Sequence, residues 1–366
     1  MEYPRQITVI QTTAILISST IGLGFLGMPR RVVEAADSGA PLVTLLGVML
    51  AFASLFFITV LGKSFPKKSL VLYSEDIVGK WPARIGSVLI IAFFIALTAS
   101  NARGFGIVIK TAVLKETPLE LVVIVMLLLA AVASRQDKAT FAYIHLFYLP
   151  LLLLPGLLIF PLALTNVEPI YLLPVWGSDV RGMLSGVLTI AGLLQGSFVL
   201  TMIIPAMRQP ERAITASLWG MGVAGIICFI VVIITLAVFG QEEIKQLVWP
   251  SLDLARATVF PVIERLDAAF LIGYVVTVFT TLYATYYFTV HTMSELFRLR
   301  DHRMLAVFMF PFVFLLAMTP QTMKEWAAMT EVVEMIGLCL TLLYPLVLLI
   351  VAFVRKKGGK SHGEAN

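Results

Sequence analysis

Ten long apolar runs, separated by short polar stretches, organise the chain: 8–28, 42–62, 85–112, 119–134, 141–164, 183–206, 214–239, 268–291, 304–320 and 327–353. Most approach the roughly 20 apolar residues that an α-helix needs to cross a bilayer. Runs 119–134 and 304–320 are shorter and need flanking residues to complete a crossing. The pattern predicts an all-α integral membrane protein with ten transmembrane helices, forming one domain over 1–366. The first run is too long and too glycine-broken for a cleaved signal peptide, so it is expected to remain as the first span.

Two runs are interrupted. The first contains Gly22, Gly24 and Gly27 before Met28-Pro29; the sixth contains Gly192, Gln195-Gly196-Ser197-Phe198 and Pro205. Backbone within a bilayer must satisfy its own hydrogen bonds, so an unwound stretch survives only where it is buried in protein or lines a cavity. Breaks at corresponding places in two halves point to a ligand site near the membrane midplane. Dividing the chain between 164 and 183 gives two sets of five spans, about 8–164 and 183–353, each opening with an interrupted one. An odd number per half gives the halves opposite orientations, which predicts an inverted repeat.

Charge adds a direction. Only 13% of residues are charged, against about a quarter in an ordinary soluble domain. Assigning the loops alternately to two sides puts seventeen Lys and Arg on one side and nine on the other, with Arg103 inside a run. Both termini are therefore expected to be cytoplasmic. The net charge of +5 follows from this bias and a basic tail, and no nucleic-acid partner is expected. Cys228 and Cys339 lie within runs and read as small hydrophobes. Metal-ligand spacing, a disulfide framework and nucleotide or hydrolase motifs are missing, so neither a cofactor nor enzymatic activity is expected. His145 and His291 fall near run ends and read as interfacial.

Candidate site residues follow from the breaks. Ile21, Gly22, Leu23, Gly24 and Phe25 would leave amides and carbonyls without helical partners, and the helix start beyond them favours an anionic group. Gly24 is expected to supply a positive φ there. Close helix packing is the other reading of these glycines. In the second break Gln195 can donate and accept, beside Gly196 and Ser197, while Phe198 could close a wall. An interhelical bond from Gln195 and simple packing of Phe198 compete with that reading. In the third run Phe93, Leu97, Thr98 and Asn101 recur at helical spacing and share a face. In the eighth, Thr277, Thr281 and Thr285 form a hydroxyl stripe, unless each bonds back to its own helix. Arg103 is an intramembrane cation, with Glu331 or Glu334 as its expected partner. The central parts of runs 1, 3, 6 and 8 contain no Asp or Glu, which argues against proton-driven uptake; Thr280 and Thr281 with carbonyls of the first break could receive sodium.

The glycine-rich first span ending Gly27-Met28-Pro29-Arg30 is similar to the amino acid–polyamine–organocation transporter superfamily. The whole chain resembles the B subunit of endospore germinant receptors. The residues that carry this are Ile21 to Gly24 with Met28-Pro29-Arg30, Lys115-Glu116-Thr117-Pro118, Leu173-Pro174-Val175 and Leu247-Val248-Trp249-Pro250-Ser251. The resemblance implies a leucine-transporter-like 5+5 inverted repeat whose site lies between spans 1, 3, 6 and 8. It also implies a germinant-sensing subunit in the spore inner membrane, working with A and C subunits and binding a small germinant, an amino acid in the leading reading. A functional amino acid permease, and a scaffold or ion and water pathway that binds no germinant, are the alternatives. Proton-coupled members of the superfamily place a lysine in the fifth span; 141–164 has none. Stretches 63–84 and 354–366 read as docking a partner or lying on anionic lipid. The stretch 240–267, with Trp249-Pro250 and Pro261, reads as short helices capping an outer vestibule, able to act as a lid.

Overall fold

A computed structural model describes residues 6–177, 179–258 and 266–355; Pro261 and the basic tail lie outside them. The described residues are helical almost throughout and contain one isolated bridge, Ile7 to Met207, in place of a sheet.

The first span begins with a capping box at Thr8, whose side chain accepts from the Gln11 amide while the Gln11 side chain accepts from the Thr8 amide. This satisfies two of the otherwise orphaned amides at a helix start. The resulting helix α1, Val9–Thr20, stops at Ile21, and a 3₁₀ turn at Leu23–Phe25 separates it from α2, Met28–Ala36. Next come α3 (Ala40–Ser64), a short helix α4 (Leu70–Val78), α5 (Lys80–Ala112), α6 (Leu119–Ala133) and α7 (Lys138–Ala163). The second half opens with α8, Val180–Leu193, capped by Asp179, which accepts from the Arg181 and Gly182 amides. A 3₁₀ turn at Gln195–Val199 interrupts it before the short α9, Leu200–Ile203. There follow α10 (Ala213–Gln246), α11 (Pro250–Ala257), α12 (Leu266–Leu296), α13 (Arg303–Phe308), α14 (Phe310–Ala317) and α15 (Met323–Val354).

Among the described residues, seven helical stretches are long and apolar enough to cross a membrane; Val9–Thr20, Leu119–Ala133 and Arg303–Ala317 are apolar but shorter. Pairing α2 with α1, and α9 with α8, as halves of broken spans yields ten crossings in the predicted order. Outward faces carry exposed Leu45, Leu128, Phe147, Leu157 and Val347, as a lipid-facing surface must. The broken spans lie inside: α1 packs on α7, α10 and α12 and on the 3₁₀ turn of the second break. At the end shared by both termini, the Gln6 and Ile7 amides donate to the Ala206 carbonyl at 3.0 and 3.1 Å, tying the N-terminal segment to the end of the second broken span.

Two sequence expectations change. His145 and His291, read as interfacial, are buried within the helix bundle. His145 is fully buried between Phe141 and Tyr283, its Nδ1 2.9 Å from the Phe141 carbonyl, and His291 lies beside Tyr287, 3.3 Å from Glu295. Aromatic rings of α7 and α12 surround both imidazoles. The fifth span also begins earlier than hydropathy indicated: α7 starts at Lys138, a buried lysine whose ammonium lies 3.4 Å from the Met202 carbonyl. The stretch 240–267 does contain a short capping helix, α11. The Ser251 hydroxyl donates to the Phe25 carbonyl at 3.0 Å, and Arg30 to the Leu247 carbonyl at 3.3 Å.

Candidate functional site

The two breaks touch. A Cβ built on Gly196 would sit 1.8 Å from the Ser19 carbonyl oxygen and 2.7 Å from its carbon, so only a glycine lets these backbones cross. A Cβ on Gly22 would meet Thr281 Cγ2 at 2.9 Å, and one on Gly24 would meet Leu193 Cδ2 at 2.2 Å. Close approach is what these glycines supply. The expected positive φ at Gly24 is not found; among the described glycines it occurs at Gly79 and Gly240. Gly22 itself is extended, with φ −121° and ψ −152°.

Around this crossing opens a cavity of about 720 Å³. Its walls near the breaks carry Ser19, Thr20, Gly22, Leu23 and Gly24, with Gln195 and Gly196 opposite, Leu97 and Asn101 from α5, and Thr281 and Thr285 from α12. Towards α11 and the start of α15 it is lined by Arg30, Arg31 and Glu34 of α2, Thr189 of α8, Trp249, and Lys324, Trp326, Thr330, Glu331 and Glu334 of α15.

Of the sixteen residues singled out in the sequence, nine line this cavity: Gly22, Leu23, Gly24, Leu97, Asn101, Gln195, Gly196, Thr281 and Thr285. Ile21, Phe25 and Thr277 line a different, apolar cavity on the other side of the first break. The remaining four are elsewhere. Phe198 is fully buried in a ring cluster with Phe94 and Phe288. The Phe93 ring packs where Gly337 leaves room on α15. Thr98 donates to the Phe94 carbonyl at 2.7 Å and to the Thr285 hydroxyl at 2.9 Å, and Ser197 donates to the Leu194 carbonyl at 3.0 Å.

The threonines of α12 bind the first break itself. The Thr281 hydroxyl lies 3.1 Å from the Ser18 carbonyl, 3.3 Å from that of Ile21 and 3.0 Å from that of Thr277. The Thr280 hydroxyl is 3.3 Å from the Ser18 carbonyl and 2.9 Å from that of Thr277. Thr285 bonds back to the Thr281 carbonyl at 3.1 Å.

Glu334 joins both breaks to α15. Its carboxylate accepts two bonds from the Arg31 guanidinium, at 3.0 and 2.5 Å, and its main-chain carbonyl accepts from Gln195 Nε2 at 2.5 Å. Such a forked pair fixes geometry as well as charge. Arg103, for which Glu334 was an expected partner, instead points its guanidinium at Met318 Sδ, 3.6 Å away, and the Gln321 carbonyl, 3.4 Å away. α2 instead carries Arg31 to Glu334. Among the described residues, three buried polar atoms on cavity-lining residues have no protein partner: Thr20 Oγ1, Gln195 Oε1 and Trp249 Nε1. Thr20, Arg31 and Glu334 were not singled out as site residues in the sequence. The signal for Thr20 was its place at the end of an apolar helix before Gly22; that for Arg31 was its place two residues after Pro29.

Residues 6–326 match the spore permease family, described as spore germination proteins. The chain belongs to that family. Among its relatives are spore germination protein YndE of Bacillus subtilis (strain 168), 27% identical with 97% of this chain and 98% of that one covered. Spore germination protein B2 of the same organism is 24% identical, with 88% of each covered. Spore germination protein KB is 25% identical, with 100% and 99% covered. Among solved structures, a Na⁺-coupled sialic acid symporter in a substrate-bound outward-open state superposes with a TM-score of 0.60 at 10% identity, covering 97% of this chain and 77% of that one. A manganese transporter of Eremococcus coleocola gives 0.65 at 14% identity, with 97% and 81% covered. The spore permease chain therefore has the leucine-transporter-like fold, with its first and sixth spans broken. It is an integral multi-pass membrane protein of the germinant-receptor type.

In this spore permease the hydroxyls of Thr280 and Thr281 meet the carbonyls of Ser18 and Ile21, an all-oxygen donor set at an unwound helix. Unwound carbonyls of this kind are the groups that hold sodium in broken-helix transporters, so the chemistry of the donors fits that ion.

Proposed function

We propose that the chain is the germinant-binding membrane subunit of a spore germination receptor, and that its ligand is an amino acid held in the 720 Å³ cavity between the two breaks. The observation that carries this is the crossing of the two breaks at the cavity wall, which brings Thr20 and Gln195, one from each break, to line the same space. A small chamber walled by polar side chains and unwound backbone suits a small zwitterion, whose two charged groups need hydrogen-bond partners at close range. Gly22, Leu23, Gly24 and Gly196 present bare backbone to the same space, while Leu97, Asn101, Thr281 and Thr285 complete the wall. Arg30 and Arg31 at the mouth are ion-paired with Glu34 and Glu334.

Occupancy is read out by a population shift, since a ligand can bias two conformations only through unequal affinity for them. The receptor's A and C subunits relay that shift, in the inner membrane of the spore with both termini of this chain cytoplasmic. The halves 8–164 and 183–353 act as inverted repeats of a single domain. The oxygen set at Thr280 and Thr281 favours a second reading, a sodium-coupled amino acid permease built on the same cavity.

Equilibrium binding of radiolabelled amino acids to the purified full chain in lipid nanodiscs tests the first reading. Saturable binding of at least one amino acid is expected, weakened at least tenfold by Gln195→Leu. The absence of a saturable site across all twenty would overturn it and leave a non-binding scaffold. Sodium-dependent accumulation in proteoliposomes would establish the permease instead.

A further inference from the structure

The apolar cavity behind the first break, about 250 Å³ in volume, has no place in that reading. It lies between α7, α10 and α12 and shares the wall formed by Ile21 and Phe25. Among the described residues, no charged side chain lines it. The Thr277 hydroxyl is satisfied by the Gly273 carbonyl at 2.8 Å, which leaves the Tyr274 hydroxyl as the unpartnered polar side-chain atom of its lining. A water molecule needs two to four polar partners, and an engineered apolar cavity of about 150 Å³ stays dry and takes up benzene instead. The chamber is therefore built for apolar matter. Its rim opens sideways: Leu157 of α7 and Ile226 of α10 line it and are 69% and 60% exposed on the lipid-facing surface, whereas Phe270 and Tyr274 of α12, at 7% and 4%, lie inside.

We propose that this chamber is a lateral binding site for an acyl chain of a bilayer lipid, entering between α7 and α10 and packing against the back of the first break. Lipid is the apolar molecule present in excess at that rim, and a chain needs no polar partner. Once inserted, it contacts Ile21 and Phe25 directly. Gly22, Leu23 and Gly24, between those two residues, face the polar cavity, so the lipid supports from behind the segment that the other cavity meets from the front. Bilayer composition thereby acts on the shape of the first break.

The test uses the full chain in nanodiscs containing a trace of phospholipid with a diazirine midway along one acyl chain, and mass spectrometry after irradiation. Adducts are expected on Phe25, Phe270 and Tyr274 as well as on exposed positions such as Leu128 and Val347. Gly156→Leu and Ile227→Trp fill the chamber from different helices. Each should reduce the adducts at Phe270 and Tyr274 at least fivefold while leaving those at Leu128 and Val347 unchanged. Adducts confined to exposed positions in the unmodified chain, or interior adducts that persist in both filled variants, would overturn the proposal. So would loss of the interior adducts on adding free octanol but not on adding unlabelled phospholipid, because the occupant would then be a small dissolved amphiphile. The readout needs no germinant, so it stands or falls separately from the function proposed above.

Discussion

Replacing Gly196 by alanine adds one methyl group at the point where the two broken spans cross. That methyl would lie 1.8 Å from the Ser19 carbonyl oxygen, in a position where real contacts essentially never fall below 3.0 Å. The obstacle is backbone on both sides, so no side-chain rotation relieves it and the crossing itself must open. Overpacking that side chains can absorb costs typically 1–3 kcal/mol; with backbone on both sides we expect the upper end, about 3 kcal/mol, or roughly a hundredfold in the folding equilibrium. Two other glycines of the same region calibrate the effect. Gly24→Ala meets only the tip of Leu193, which can change rotamer for about 0.5–1.5 kcal/mol. Gly27→Ala finds its nearest neighbour, the Trp249 ring, at 3.8 Å, an ordinary contact. The order of thermal unfolding midpoints for the full chain in nanodiscs should therefore be Gly27→Ala near wild type, Gly24→Ala slightly lower, and Gly196→Ala lowest by several degrees. Equal midpoints for Gly196→Ala and Gly27→Ala would mean that the breaks do not cross as described.

Three further outcomes follow from the same geometry. Arg31→Ala and Glu334→Gln should show coupled rather than additive losses in stability, with an interaction energy above about 0.5 kcal/mol in a double-mutant cycle; strict additivity would show that the forked pair is not formed. Thr281→Val removes a hydroxyl shared among the Ser18, Ile21 and Thr277 carbonyls, so it should cost on the order of 1 kcal/mol and shift the half-maximal germinant concentration severalfold at equal receptor level in spores. Thr289→Val, whose hydroxyl bonds only the Thr285 carbonyl at 2.8 Å, should do much less, and a larger effect there would refute the assignment. Single cysteines at Lys68 and Lys245 should differ in reaction with an impermeant thiol reagent, with Lys245→Cys alone modified from outside; equal external labelling would reverse or abolish the proposed orientation.

The number of spans and the position of both breaks were legible because each rests on a one-dimensional signal: apolar runs of bilayer length, and glycines grouped inside two of them. Which side chains share a cavity is a three-dimensional question that helical spacing answers only in part. Residues four apart on an α-helix are offset by about 40°, so the stripe Thr277, Thr281, Thr285 turns by about 80° along its length. The structure shows the consequence: Thr281 and Thr285 reach the polar cavity while Thr277 reaches the lipid-side chamber. The same drift separates Phe93, which packs at Gly337, from Leu97 and Asn101, which line the polar cavity. Phe198 escaped for another reason. Spacing cannot distinguish an aromatic wall from an aromatic core, and Phe94 and Phe288 decide the matter only once α5 and α12 are in place.

The feature that most changes the chemistry of the site was hidden by the reading of a proline. Met28-Pro29 looks like the end of a span, because proline cannot continue a helix into which its ring would clash. At the first turn of a helix, however, its missing amide costs nothing and its fixed φ is already helical. Here Pro29 falls at that position of α2, so the span resumes where it was expected to stop and runs to Ala36. Arg30 and Arg31 consequently leave the loop that was assigned to them and line the mouth of the cavity, where Arg31 meets Glu334. A terminating proline would have left both arginines in a loop. An initiating one makes the pocket end in two guanidinium groups, one of them locked to α15, and α15 is also the helix whose main chain holds Gln195 of the other break. The linkage between the two breaks thus depends on which side of Pro29 the helix lies.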